Sequence, residues 1–93
     1  MTLVSLKAKF LNDTRGRRAV GVIMDCPCGN RDPDHRLFVP FDVALDGSPR
    51  PPDEKAWART GDTIETLTLS PSVQRLEACK WHGWIRNGEA VTA

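Results

Sequence analysis

All three cysteines of this chain lie in two short turn-forming segments, Cys26-Pro27-Cys28-Gly29-Asn30 and Cys79-Lys80-Trp81-His82-Gly83. Three thiols cannot all pair within one chain. The opening Met1-Thr2-Leu3-Val4-Ser5-Leu6-Lys7 lacks the basic-then-apolar order of a secretory signal, so a cytoplasmic setting, which disfavours disulfides, is expected. Thiolates and an imidazole brought together by two turns are the donors that tetrahedral zinc takes. The expected ligands are Cys26, Cys28, Cys79 and His82, a Cys3His set bound to Zn2+. His35, in Pro33-Asp34-His35-Arg36, has no cysteine in its own segment and follows charged loop residues. It reads as exposed, and as the substitute ligand should His82 fail.

The rest of the composition explains why a staple would be needed. Residues 1–93 are expected to form a single domain, and a chain of this length buries well under ~70% of its unfolded surface. Three Trp and three Phe are the only aromatics available to fill a core, while seven Gly and seven Pro favour turns. Domains of this kind recruit a metal or a partner, and metal-binding energy then becomes folding energy. A formal charge of +1 argues against a strongly electrostatic nucleic-acid binder or a polybasic membrane anchor. No apolar run approaches the ~18 residues of a membrane span.

Apolar residues recur mostly with period two. Leu6, Ala8 and Phe10 alternate with polar residues as a first strand. After a turn at Thr14–Arg17, Ala19 to Met24 would pair back as a hairpin. Leu37, Val39 and Phe41 mark a third strand, placed at an edge because Pro40 cannot donate to a ladder. Residues 46–55 read as a stiff Pro-rich loop, Ala56–Arg59 as one helical turn, Thr63–Leu69 as a strand, and Val73–Leu76 as extended chain. Asn87-Gly88 is a strong hairpin signal. The expected fold is mainly β: a small antiparallel domain of zinc-ribbon or Rieske-cluster-domain type. Its two hairpin-end loops, at residues 25–30 and 78–83, would clamp one metal.

Two resemblances bear on function. Cys79-Lys80-Trp81-His82-Gly83-Trp84 resembles the second cluster-binding box of Rieske proteins, C-x-x-H-G-W, although Cys28 stands where the first box of that family has histidine. A 2Fe–2S electron-transfer protein is therefore the alternative reading. More broadly, Cys26-Pro27-Cys28-Gly29, Leu67 to Val73, Cys79-x-x-His82 and Ile85-Arg86-Asn87-Gly88 resemble a family of small bacterial and prophage-encoded proteins. That resemblance implies a metal-binding fold with zinc as the ion, and it assigns no activity.

The function expected from these readings is a non-enzymatic, zinc-stabilised adaptor for a protein partner. A second alternative is nucleic-acid binding through Arg15, Arg17 and Arg18. Trp81 and Trp84 would shield the metal beside His82, while Trp57 lies apart from that turn. Asp25, Asp42, Asp62 and Glu65 are the carboxylates that could act as a base, but three thiolates and an imidazole leave a zinc ion no open position for water. No Ser-His-Asp order is present, so no enzyme is expected.

Overall fold

In a computed structural model, the period-two pattern becomes eight short strands among the described residues, which are all except residues 15, 17, 50–54 and 76–78. The strands are β1 (Lys9–Leu11), β2 (Gly21–Met24), β3 (Leu37–Pro40), β4 (Ala58–Thr60), β5 (Thr68–Ser70), β6 (Val73–Gln74), β7 (His82–Arg86) and β8 (Glu89–Thr92). Among the same described residues one 3-10 turn, Pro33–His35, interrupts them. Three antiparallel sheets result, ordered β1-β2-β3, β4-β5 and β6-β7-β8. The architecture is mainly β, as the alternation implies.

The hydrophobic face of each strand explains the register. Val22 pairs with both Phe10 and Val39, and Val22 and Met24 are completely buried. Pro40 lies at the end of β3, the edge strand of its sheet, where a missing N–H costs the ladder little. The β7–β8 hairpin turns at Asn87 and Gly88 with φ of 47° and 76°. Both values are positive, as the tight hairpin turn favoured by Asn-Gly requires. Gly88 also joins the sheets: its N–H donates to Leu67 O at 2.9 Å, and its carbonyl accepts from Leu3 N at 2.9 Å.

Three local expectations give way to tertiary context. Leu6 lies in a turn rather than in β1, yet it is fully buried with Leu3. Ala58 and Arg59 are strand, because pairing of Arg59 with Leu69 and Ala58 with Ser70 supplies hydrogen bonds that an isolated helical turn would lack. Thr63–Thr66 form a turn closed by Thr66 N donating to Thr63 O at 3.2 Å, so β5 keeps only the end of the expected strand. Leu76, Ala78, Arg15, Arg17 and residues 50–54 of the Pro-rich loop lie outside the described residues. The core draws on residues from Leu3 to Ala90, with Phe41, Trp57, Trp81, Leu67 and Ile85 among its larger members.

Candidate active site and metal-ligand cluster

Three segments deliver a compact set of soft donors. Beyond β2 the chain bends through Cys26 and Cys28, with Gly29 N donating to Cys26 O at 3.2 Å and Gly29 at φ 98°. The side chain of Asn30 accepts from Asp32 N at 2.9 Å, and that of Asp32 accepts from Asp34 N at 3.0 Å. This relay of side-chain caps opens the 3-10 turn and presents His35. Cys79 arrives from the segment before β7.

The Sγ atoms of Cys26 and Cys79 are 3.6 Å apart, and Cys28 Sγ is 3.3 Å from His35 Nε2. All four donor atoms lie within 4.8 Å of one another. Bonds of about 2.3 Å to sulfur and 2.0 Å to nitrogen at tetrahedral angles would hold neighbouring donors roughly 3.5–3.8 Å apart, so the set fits a single tetrahedral ion.

The cluster's electrostatics favour thiolate at Cys79. Burial, offset in part by a backbone hydrogen bond from Cys28, raises the Cys26 thiol to about 11, and the Cys28 and Cys79 side chains push the same way. Desolvation also raises Cys79. It is outweighed by hydrogen bonds from the Trp81 backbone and from His35, Cys26 and Cys28, which hold Cys79 down to about 6. Cys26 is buried, whereas Cys28 and Cys79 are exposed, so only the first can be read as a plain core residue.

His82, the histidine expected among the cysteines, lies elsewhere; the structure brings His35 to them instead. β7 begins at His82, and strand alternation buries Trp81 while turning the His82 side chain to the other face. Trp81 belongs to the core, its indole N–H donating to Thr92 Oγ1 at 3.0 Å, so it does not shield a ligand histidine. Of the carboxylates singled out from sequence, Asp25 faces Arg36 at 3.6 Å and Asp62 faces Arg59 at 3.2 Å. Asp42 accepts from Val43 N at 2.7 Å.

On that other face, His82 Nε2 is 3.1 Å from Ser72 Oγ. The register explains the meeting. Gln74 stands opposite His82, and Ser72, two residues earlier, lies on the same face as a diagonal neighbour. Trp57 fixes the backbone of Ser72, its indole N–H donating to Ser72 O at 3.1 Å. The Trp84 ring lies 6.0 Å from that of His82, and Arg86 stacks on Trp84 at 4.9 Å. Ser72 opens onto a shallow groove of about 530 Å3 lined also by Leu69, Pro71, Trp84 and Arg86. A hydroxyl within hydrogen-bond reach of an imidazole, both partly exposed beside a groove, is the arrangement an activated serine nucleophile needs.

A family model described as "Bacterial ubiquitination-like system serine protease (BubE)" matches residues 4–93. No curated protein and no solved structure matches the chain. The family match overturns the expectation of a non-enzymatic protein. Ser72 escaped the sequence reading because it meets its histidine across an antiparallel ladder, a pairing that needs no triad order along the chain. The one signal available was a serine just before one strand and a histidine opening the next. With nearly its whole length matched, the chain belongs to the BubE family, the serine proteases of bacterial ubiquitination-like systems.

Proposed function

We propose that this chain is a serine peptidase in which Ser72 is the nucleophile and His82 the general base, and that it acts on a protein partner within a bacterial ubiquitination-like system. The observation that carries the reading is the 3.1 Å separation of Ser72 Oγ and His82 Nε2. As Ser72 Oγ adds to the scissile carbonyl, its proton passes to His82 Nε2. The C–N bond then breaks, and His82 returns that proton to the leaving amine. Water, deprotonated by His82, next hydrolyses the acyl ester and restores the Ser72 hydroxyl. The Trp57 indole, bound to Ser72 O, keeps the nucleophile aligned with its base.

In the same proposal Cys26, Cys28, His35 and Cys79 hold one zinc ion as a structural staple, with His35 in the place first given to His82. Four protein donors fill a tetrahedral ion and leave no position for water, so the ion supplies folding energy and no step of the reaction. The mutual spacing within 4.8 Å favours zinc over a 2Fe–2S cluster, whose two irons would hold their ligand pairs further apart.

A fluorophosphonate probe and p-nitrophenyl acetate test the catalytic pair. Ser72 should be the residue labelled. Ser72→Ala and His82→Gln should each lower ester hydrolysis by at least about 10³-fold, as removal of a triad member does elsewhere. Labelling of another serine, or hydrolysis that survives Ser72→Ala, would overturn the assignment.

A further inference from the structure

We propose that a second cleft, on the Val73 side of the nucleophile, binds an acidic, extended segment of the protein substrate; this deepens the peptidase reading of Ser72 and His82 and rests on it. The cleft measures about 490 Å3. Its floor is apolar, with Trp57 and Val73 almost fully buried, and its rim carries Arg36, Lys55 and Arg75 beside Phe38, which is 43% exposed. No carboxylate is among the described residues lining it. Asp25 shares the charge of Arg36 at 3.6 Å, so among the described residues Lys55 and Arg75 supply the surplus. With a formal charge of only +1 on the chain, that surplus is a property of the cleft and not of a basic protein.

Two features tie the cleft to the reacting hydroxyl. Val73 directly follows Ser72, and Trp57 both lines the cleft and holds Ser72 O at 3.1 Å. A chain lying in the cleft therefore reaches Ser72 without leaving the protein surface and continues into the groove on the far side. The strand order makes an extended occupant the natural one. β6 is at the edge of the β6-β7-β8 sheet, and Arg75 N donates to Trp81 O at 2.8 Å. Antiparallel alternation then turns the N–H and C=O of Gln74, which lines the cleft, away from β7. Those groups are placed to pair with an added strand, while carboxylates on that strand meet Lys55, whose Nζ sits 5.3 Å over the Trp57 ring.

Fluorescence anisotropy on the Ser72→Ala chain tests this without cleavage. The probes are labelled peptides of one frame, Val alternating with Glu, Gln or Lys, together with a labelled oligo-dT strand. The Glu peptide should bind roughly tenfold more tightly than the Gln peptide, and its affinity should fall with added salt. Lys55→Glu, at an exposed position, should abolish that preference, with a thermal melt to confirm folding. Equal affinity for Glu and Gln peptides, a preference unchanged by Lys55→Glu, or oligo-dT displacing the Glu peptide would overturn the proposal. Charge-blind binding alongside an active Ser72 removes the cleft assignment alone. Ester hydrolysis that survives Ser72→Ala removes the peptidase reading, and with it the cleft as a substrate site.

Discussion

Metal binding and proton transfer ask different things of an imidazole. A ligand histidine commits its lone pair to the ion, whereas a general base must keep it available for the nucleophile's proton. In the proposed reading, His35, 3.3 Å from Cys28 Sγ, and His82, 3.1 Å from Ser72 Oγ, divide the two tasks. The division predicts opposite phenotypes. His35→Ala should weaken zinc binding by more than about 100-fold, since even indirect partners of metal ligands are worth ten- to a hundredfold. His82→Ala should keep a full equivalent of zinc and lose ester hydrolysis. Elemental analysis after dialysis, beside an esterase assay, separates the outcomes. Zinc lost from His82→Ala and retained by His35→Ala would restore the ligand set first read from sequence.

In the same reading the thiols would also set the pH dependence of metal affinity. Protons compete with zinc for the same donors, so affinity falls as pH falls. Cys26, raised to about 11, must give up a proton on binding at any pH near neutral. Cys79, held at about 6, is already thiolate at pH 7 and begins to bind a proton only as pH drops through that value. Competition titrations should therefore show affinity decreasing more steeply below about pH 6 than above it. A slope unchanged across pH 6 would contradict the thiolate assignment of Cys79.

At the scale of elements, Trp57 and Ser72 immediately precede β4 and β6, strands of different sheets, and one indole hydrogen bond links them. Trp57→Phe keeps the ring and removes that bond, which is worth about 1 kcal/mol. The melting temperature should fall by roughly 4–8 °C, and kcat for a small ester should fall while KM changes little. An unchanged kcat would show that the indole only packs. These long-range links are what the sequence could not reveal. The edge position of Pro40 and the Asn87-Gly88 turn were legible because each depends on the backbone chemistry of its own residues. The choice of His35 was not, because the Asn30 and Asp32 caps and the β7 register decide it together. Ser72 was hidden for the same reason. The cysteines could be read as a group because soft donors concentrated in two turns have few other uses.

For the whole molecule, the question is how a chain with so few large side chains holds a nucleophile and its base in register. The proposed zinc ion would tie the turn after β2, the 3-10 turn and the segment before β7. Arg75 Nη1 extends the tie by donating to His35 O at 3.2 Å and Arg36 O at 3.3 Å, which joins the metal turns to the strand that follows Ser72. Apparent zinc-binding energies of roughly 10–16 kcal/mol match or exceed the ~5–15 kcal/mol stability of a typical domain. Removing the ion should then unfold the chain. A strong chelator, Cys28→Ser or Cys79→Ser should lower the melting temperature by tens of degrees. Ester hydrolysis should disappear in step with the near-ultraviolet signal of the three tryptophans, although none of these residues touches Ser72. If the loss instead preceded unfolding, the metal would belong to the chemistry. A metal-free chain that kept its melting temperature would leave Cys26 a core residue, and the exposed Cys28 and Cys79 would then need another explanation.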